Sequence, residues 1–202
     1  QAWTQHVDDQ AAAASLVYQE MLDNIAGNRP GETLATQQQA DIKQLAETLK
    51  QQHGGSQYAF NAALIKAKLA VESDDLASAA IELQWAMDNT DQTINKNIAR
   101  LRLARVEAAQ DNLDTALQLV QGVDAGEMKS AFDEAKGDFY LQQGNSAAAY
   151  TAYEAALIGV DGQDSSARAL LQLKISQVQP VAIDTVETEL SQETAEEQAD
   201  PS

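Results

Sequence analysis

Apolar residues along this chain recur at intervals of three and four and never alternate over a long run, which is the pattern of helices buried on one face. Residues 4–26 form the first such stretch, and "GNRPGE" breaks it. A second runs over 33–52 and stops at "HGG". Beyond it a longer period sets in. The segments "IKAKLAVESDDLASAAIELQWAM", "RLARVEAAQDNLDTALQLVQGV" and "AKGDFYLQQGNSAAAYTAYEAAL" can be laid over one another so that "ESDD", "AQDN" and "QQGN" coincide. A last helical stretch, 164–178, opens on an Asp/Ser cap and carries Leu170, Leu171, Leu173, Ile175 and Val178.

In that register the small residues Ala67, Ala104 and Gly137 align in the first helix of each unit. Ala79, Ala116 and Ala149 align in the second, at spacings of 37 and 33 residues. A small residue in each helix of a hairpin lets the axes approach through ridge-into-groove packing. Larger residues follow four positions on, at Leu83, Val120 and Tyr153, and Ala86, Val123 and Ala156 three further. Those offsets share a helix face. One hairpin cannot bury its whole apolar surface, so copies stack. Asp, Asn, Gly and Ser in the turns end one helix and cap the next.

Residues 130–160 resemble the tetratricopeptide (TPR) pattern, with Gly137, Tyr140, Gly144, Ala149, Tyr153 and Ala156 at the signature positions. The two earlier units match it less, with Glu107 and Ala70 where Tyr140 stands. The expected fold is all-α: a TPR-like α-solenoid of about three to four helical hairpins plus a C-terminal capping helix. A divergent hairpin covers 4–52, repeats cover 57–89, 94–125 and 130–160, and the cap covers 164–178. The competing architecture is a plain bundle of Ala-rich hairpins. Residues 180–202 hold seven acidic residues and no basic one, which reads as a disordered acidic tail outside the 1–179 domain.

Composition narrows the function. Hydrophobic residues make up 44% of the 202 and aromatics only 5%, so the core is built from alanine and leucine. A formal charge of −18 argues against nucleic acid as a partner. There is no cysteine, which removes thiolate metal sites, disulfides and thiol catalysis. His6 and His53 stand on different elements with no metal-binding spacing, so they read as solvated residues near helix ends. No phosphate-binding glycine loop or nucleophile elbow occurs. Asp74–Asp75 and Asp111–Asn112 read as capping turns rather than acid/base pairs. The expectation is a protein without enzymatic activity, cofactor or metal. Because the chain starts at Gln1, it reads as a processed or excised segment.

A stack of hairpins presents the first helix of each unit on its inner wall. Positions three before, one after and four after the aligned small residue face inward. They nominate Leu64, Lys68 and Val71, then Leu101, Arg105 and Ala108, then Glu134, Asp138 and Leu141 as a protein-binding groove. Lys68 and Arg105 stand out in so acidic a chain and could hold a carboxylate or carbonyl of a bound segment. The alternative places Leu64, Leu101 and Leu141 in ordinary packing between hairpins. Spacing puts Trp85 in the core and leaves Trp3 open.

Three features are shared with one family. They are Trp3, His6 and Asp8 before an Ala/Ser-rich helix with Tyr18, "LRLARV" at 101–106, and the Leu-x-Leu-Lys-Ile ending at 171–175. Over residues 1–178 the chain resembles the periplasmic region of the YfgM family of ancillary SecYEG translocon subunits. That resemblance implies a membrane helix ahead of this segment, and hence the periplasmic domain of a single-pass inner-membrane protein. It implies a scaffold associated with the SecYEG translocon and the periplasmic chaperone PpiD, assisting exported proteins and contacting unfolded exported chains. Two other readings stay open: an autonomous periplasmic holdase, and a TPR adaptor for a signalling regulator. The family supplies no catalytic motif.

Overall fold

The computed structural model describes residues 2–26, 34–160, 162 and 164–179, and only the backbone of 2–9. The side chains of Trp3, His6 and Asp8, the break at 27–32 and the acidic stretch 180–202 lie outside the described residues. Among the described residues the fold is all-α. Its helices are α1 (Ala2–Ala26), α2 (Thr36–Gln52), α3 (Gln57–Glu72), α4 (Leu76–Asp88), α5 (Thr93–Ala109), α6 (Leu113–Val120), α7 (Lys129–Gln142), α8 (Ser146–Gly159) and α9 (Ser165–Val178). Each packs on the next, so the chain is a TPR-like solenoid of antiparallel helix pairs with α9 laid against α8. Helices two apart meet only lightly, α1 with α3 and α5 with α7.

The core is a row of small clusters rather than one globule, as stacking requires. Met21, Ile42, Leu49 and Leu69 join α1, α2 and α3. Ala67, Leu83, Leu103 and Val106 join α3, α4 and α5. Ala104, Val120, Phe132 and Phe139 fill the space between α5, α6 and α7. Tyr153, Leu171 and Val178 fix α9 on α8. Trp85 is partly buried between the first of these clusters and a further one of Phe60, Ala63, Ala86 and Ala99.

The aligned turns share one geometry. Each contains a residue in the left-handed region: Asp74 at φ 58°, Asp111 at 65° and Gly144 at 79°. The next residue, Asp75, Asn112 or Asn145, sends its N–H back to the carbonyl five residues earlier at 2.8–2.9 Å. That ties off the end of the first helix. Asp75 then accepts from Ser78 N–H at 3.0 Å and Asn145 from Ala148 N–H at 3.1 Å, which opens the second. Asn112 departs from the pattern, because its amide donates to Glu107 instead. Beyond α6 the chain holds Gly122 and Gly126 at positive φ and a 3-10 turn over Gly126–Met128. The buried Asn97 pins this connection, its amide donating to Asp124 O at 3.0 Å. Helical periodicity does not anticipate that turn, since its shape is held by a contact from α5.

Candidate protein-binding cleft

Four of the nine groove residues surround one cavity of about 380 Å³: Leu64, Lys68 and Val71 of α3 and Arg105 of α5. Ala67 and Glu72 of α3, Leu83 of α4, and Arg102 and Val106 of α5 complete its wall. The floor is apolar and closed, with Ala67, Leu83 and Val106 all buried. Its rim is wet, with Val71 exposed and the Lys68 side chain 73% exposed. The cleft exists because α4 wedges between α3 and α5 and holds them apart.

The remaining groove residues stand elsewhere. Leu101 and Ala108 are buried in the cluster shared with Phe132 and Phe139. Ala108 also accepts from the Gln142 amide through its carbonyl at 3.1 Å. Glu134 and Asp138 of α7 each receive a hydrogen bond from Lys174 Nζ of α9 at 2.7 Å. Leu141 is exposed at the end of α7. Inner-wall spacing missed Arg102, which sits two before Ala104, outside the offsets used. Its signal was its own charge, three residues from Arg105 and so on the same helix face.

Electrostatics separate these positions further. Lys50 and Lys66 are mostly buried and share the carboxylates of Glu47 and Glu82, with Lys50–Glu82 at 2.7 Å and Lys66–Glu82 at 2.6 Å. Lys66 also donates to Glu47. Burial alone would lower the Lys66 ammonium's pKa, but Glu47 and Glu82 hold it above the usual lysine value. The hydrogen bond from Lys66 keeps Glu47 below the usual carboxylate range. Lys50 also lies 4.9 Å over the Trp85 ring. Lys174 behaves like Lys66: burial opposes its charge, and Asp138 and Glu134 overcome that and raise its pKa. Tyr153 donates to Asp138 at 2.8 Å, and burial together with that carboxylate pushes its phenol well above the ordinary range. In α7, Asp133 is buried, yet Lys129 and Lys136 hold its carboxyl below its usual value.

The cleft cations are used otherwise. Among the described residues Lys68 pairs only with Glu72, at 3.6 Å across one exposed turn. Arg102 and Arg105 pair with no carboxylate among the described residues. Such a site can hold an extended peptide by an apolar side chain and charge-assisted hydrogen bonds. His53 ends α2, its backbone N–H donating to Leu49 O at 2.8 Å, and no metal-holding cluster occurs among the described residues. No described helix is long and apolar enough to cross a membrane.

Comparison with known proteins agrees with this architecture. A family model described as a tetratricopeptide repeat-like domain matches residues 1–180. An ancillary SecYEG translocon subunit of Aggregatibacter actinomycetemcomitans is 31% identical over 157 residues, covering 76% of this chain and 71% of that protein. The protein of the same name from Escherichia coli (strain K12) is 27% identical over 175 residues, 86% of this chain and 78% of the relative. That of Haemophilus influenzae is 26% identical over 154 residues, 76% of this chain and 71% of the relative.

Proposed function

The chain belongs to the tetratricopeptide repeat-like family of ancillary SecYEG translocon subunits, and from that premise we propose that it is a protein-interaction scaffold of the SecYEG translocon. The repeat region is the periplasmic domain of a single-pass inner-membrane protein in this reading. It docks the periplasmic chaperone PpiD and meets unfolded exported chains as they emerge. One observation carries the proposal: the similarity to translocon subunits runs through the helical repeats themselves, over as much as 86% of the chain. The inner wall is the docking face, with Leu64, Lys68, Val71 and Arg105 at its cleft and the exposed Leu141 further along it.

The test is a pull-down of the full-length protein, its membrane helix included, from detergent-solubilised membranes, read by mass spectrometry. Recovery of SecYEG together with PpiD is the expected result. Recovery of neither, with a soluble regulator in their place, would overturn the translocon assignment.

A further inference from the structure

We propose that the cleft between α3 and α5 takes an extended acidic stretch of a partner polypeptide, seating an apolar side chain on its floor and carboxylates on its rim. This rests on the scaffold reading and adds the chemistry of what is bound. The cavity of about 380 Å³ lies at the small end of ligand-sized pockets, roughly 300–1,000 Å³. It has room for a side chain or two and the backbone between them, not for a folded surface. The floor of Ala67, Leu83 and Val106 offers only carbon.

The rim names the charge. Arg102 and Arg105 lie one turn apart on α5, facing Lys68 across the opening. Guanidinium groups present paired donors matched to a carboxylate, which an ammonium does not. Partly buried lysines are already matched among the described residues, Lys66 and Lys50 with Glu82, and Lys174 with Asp138. The cleft arginines have no such partner among the described residues. Three cations against the single Glu72 make this a basic notch in a chain of net charge −18. The wider acidic surface does not cancel it for a short segment. Charges beyond about 8 Å are largely screened at physiological salt, whereas the arginines would be in contact. A basic segment would meet like charge in the cleft, and an uncharged one would leave the guanidinium groups unused.

Fluorescence anisotropy on the full chain tests this with synthetic peptides of about ten residues, the length an extended segment needs to cross one such groove. All carry a central leucine and a fluorophore. They differ only in whether the flanks are glutamate, glutamine or lysine. We expect the glutamate peptide to bind at least about tenfold more tightly than the other two, and to weaken as salt rises. The double variant Arg102→Glu/Arg105→Glu should lose that advantage by a further factor of about ten or more. Arg102→Gln/Arg105→Gln, which cannot introduce repulsion, should lower the affinity in the same direction.

Equal binding of the glutamine or lysine peptide would overturn the proposal. So would no detectable binding, or an affinity indifferent to both arginine variants. The chain's own acidic stretch is a rival occupant. If the glutamate peptide binds only after Asp184, Glu187 and Glu189 are changed to amides, that stretch fills the cleft and the partner proposal falls. Peptide binding does not depend on co-purification with the translocon. An intact peptide preference without SecYEG recovery would sink the scaffold reading alone, and the converse would sink this one alone.

Discussion

The first repeat and the last are built on one plan and spend their charged and small residues differently. In the first, α3 and α4 pack Ala67 near Leu83, the turn passes through Asp74, and the inner wall opens as a cleft rimmed by Lys68 and the arginines of α5. In the last, α7 and α8 pack Gly137 against Tyr153 and the turn passes through Gly144. There the inner-wall carboxylates Glu134 and Asp138 are claimed by Lys174 of the terminal helix. The interior repeat's cleft keeps two arginines without a carboxylate among the described residues, and the terminal repeat uses charge to hold its cap. A solenoid end has no further hairpin to cover it, so α9 must be fastened by what the last repeat offers.

The sharpest way to break this comparison is to give the last repeat the first one's small residue. A Cβ on Gly137 would run into Tyr153 Cε1, and that ring is buried and anchored through its hydroxyl to Asp138. Overpacking costs about 1–3 kcal/mol, and alanine's better helix propensity offsets about 1. With so short an approach to a fixed ring, Gly137→Ala should lose about 2 kcal/mol in urea denaturation. Combined with Tyr153→Leu, which recreates the Ala67–Leu83 pairing, the same change should cost nothing or stabilise. An equal loss in both backgrounds would show that the ring is not the obstacle.

Next in size is the contrast between tied and free cations. Lys174→Met removes the ammonium between Glu134 and Asp138 and leaves two carboxylates side by side on α7. Hydrogen bonds to charged groups are worth about 1.5–3 kcal/mol, and the partial exposure of this cluster brings the expected loss to about 1–2 kcal/mol. Arg105→Met, at an exposed rim with no carboxylate partner among the described residues, should stay within about 0.5 kcal/mol of the parent. Denaturation midpoints of the two variants decide the matter. If Arg105→Met costs as much as Lys174→Met, the cleft arginines are structural and the division between the two repeats is lost.

The repeat architecture was legible because it is local. The pairs Ala67 and Leu83, Ala104 and Val120, and Gly137 and Tyr153 lie within one hairpin, so their register can be read from spacing alone. The capping turns are local too, and Asp75 and Asn145 act as their residue types suggest. What spacing cannot carry is a partnership between hairpins. Glu82 looks like a solvent-facing residue on α4, yet it is buried because Lys50 reaches it from 32 residues away on α2. Lys174 reads as a surface charge on the last helix until its partners, 36 and 40 residues earlier, are brought beneath it. Lys68 and Arg105 were visible as unusual cations. Their meeting with Arg102 around one cavity needed the separation of α3 from α5 that α4 imposes.

The smallest difference between the repeats is also the most local, and it sharpens the comparison where packing plays no part. Asp74 and Asp111 adopt the left-handed conformation that Gly144 adopts without hindrance. A left-handed L-residue costs about 1–2 kcal/mol, somewhat less for Asp, whose side chain tolerates the region. Glycine removes that strain but enlarges the freedom of the unfolded chain, which costs about 0.4–1 kcal/mol. The balance should leave Asp74→Gly more stable by about 0.5 kcal/mol, while Asp74→Ala, with the strain and without Asp's tolerance, should lose a similar amount. Thermal denaturation of the pair reads both signs at once. If alanine at 74 proves as stable as glycine, then the shared turn does not limit either repeat. In that case the difference between Asp74 and Gly144 carries no energetic weight, and the two hairpins differ only in packing and charge.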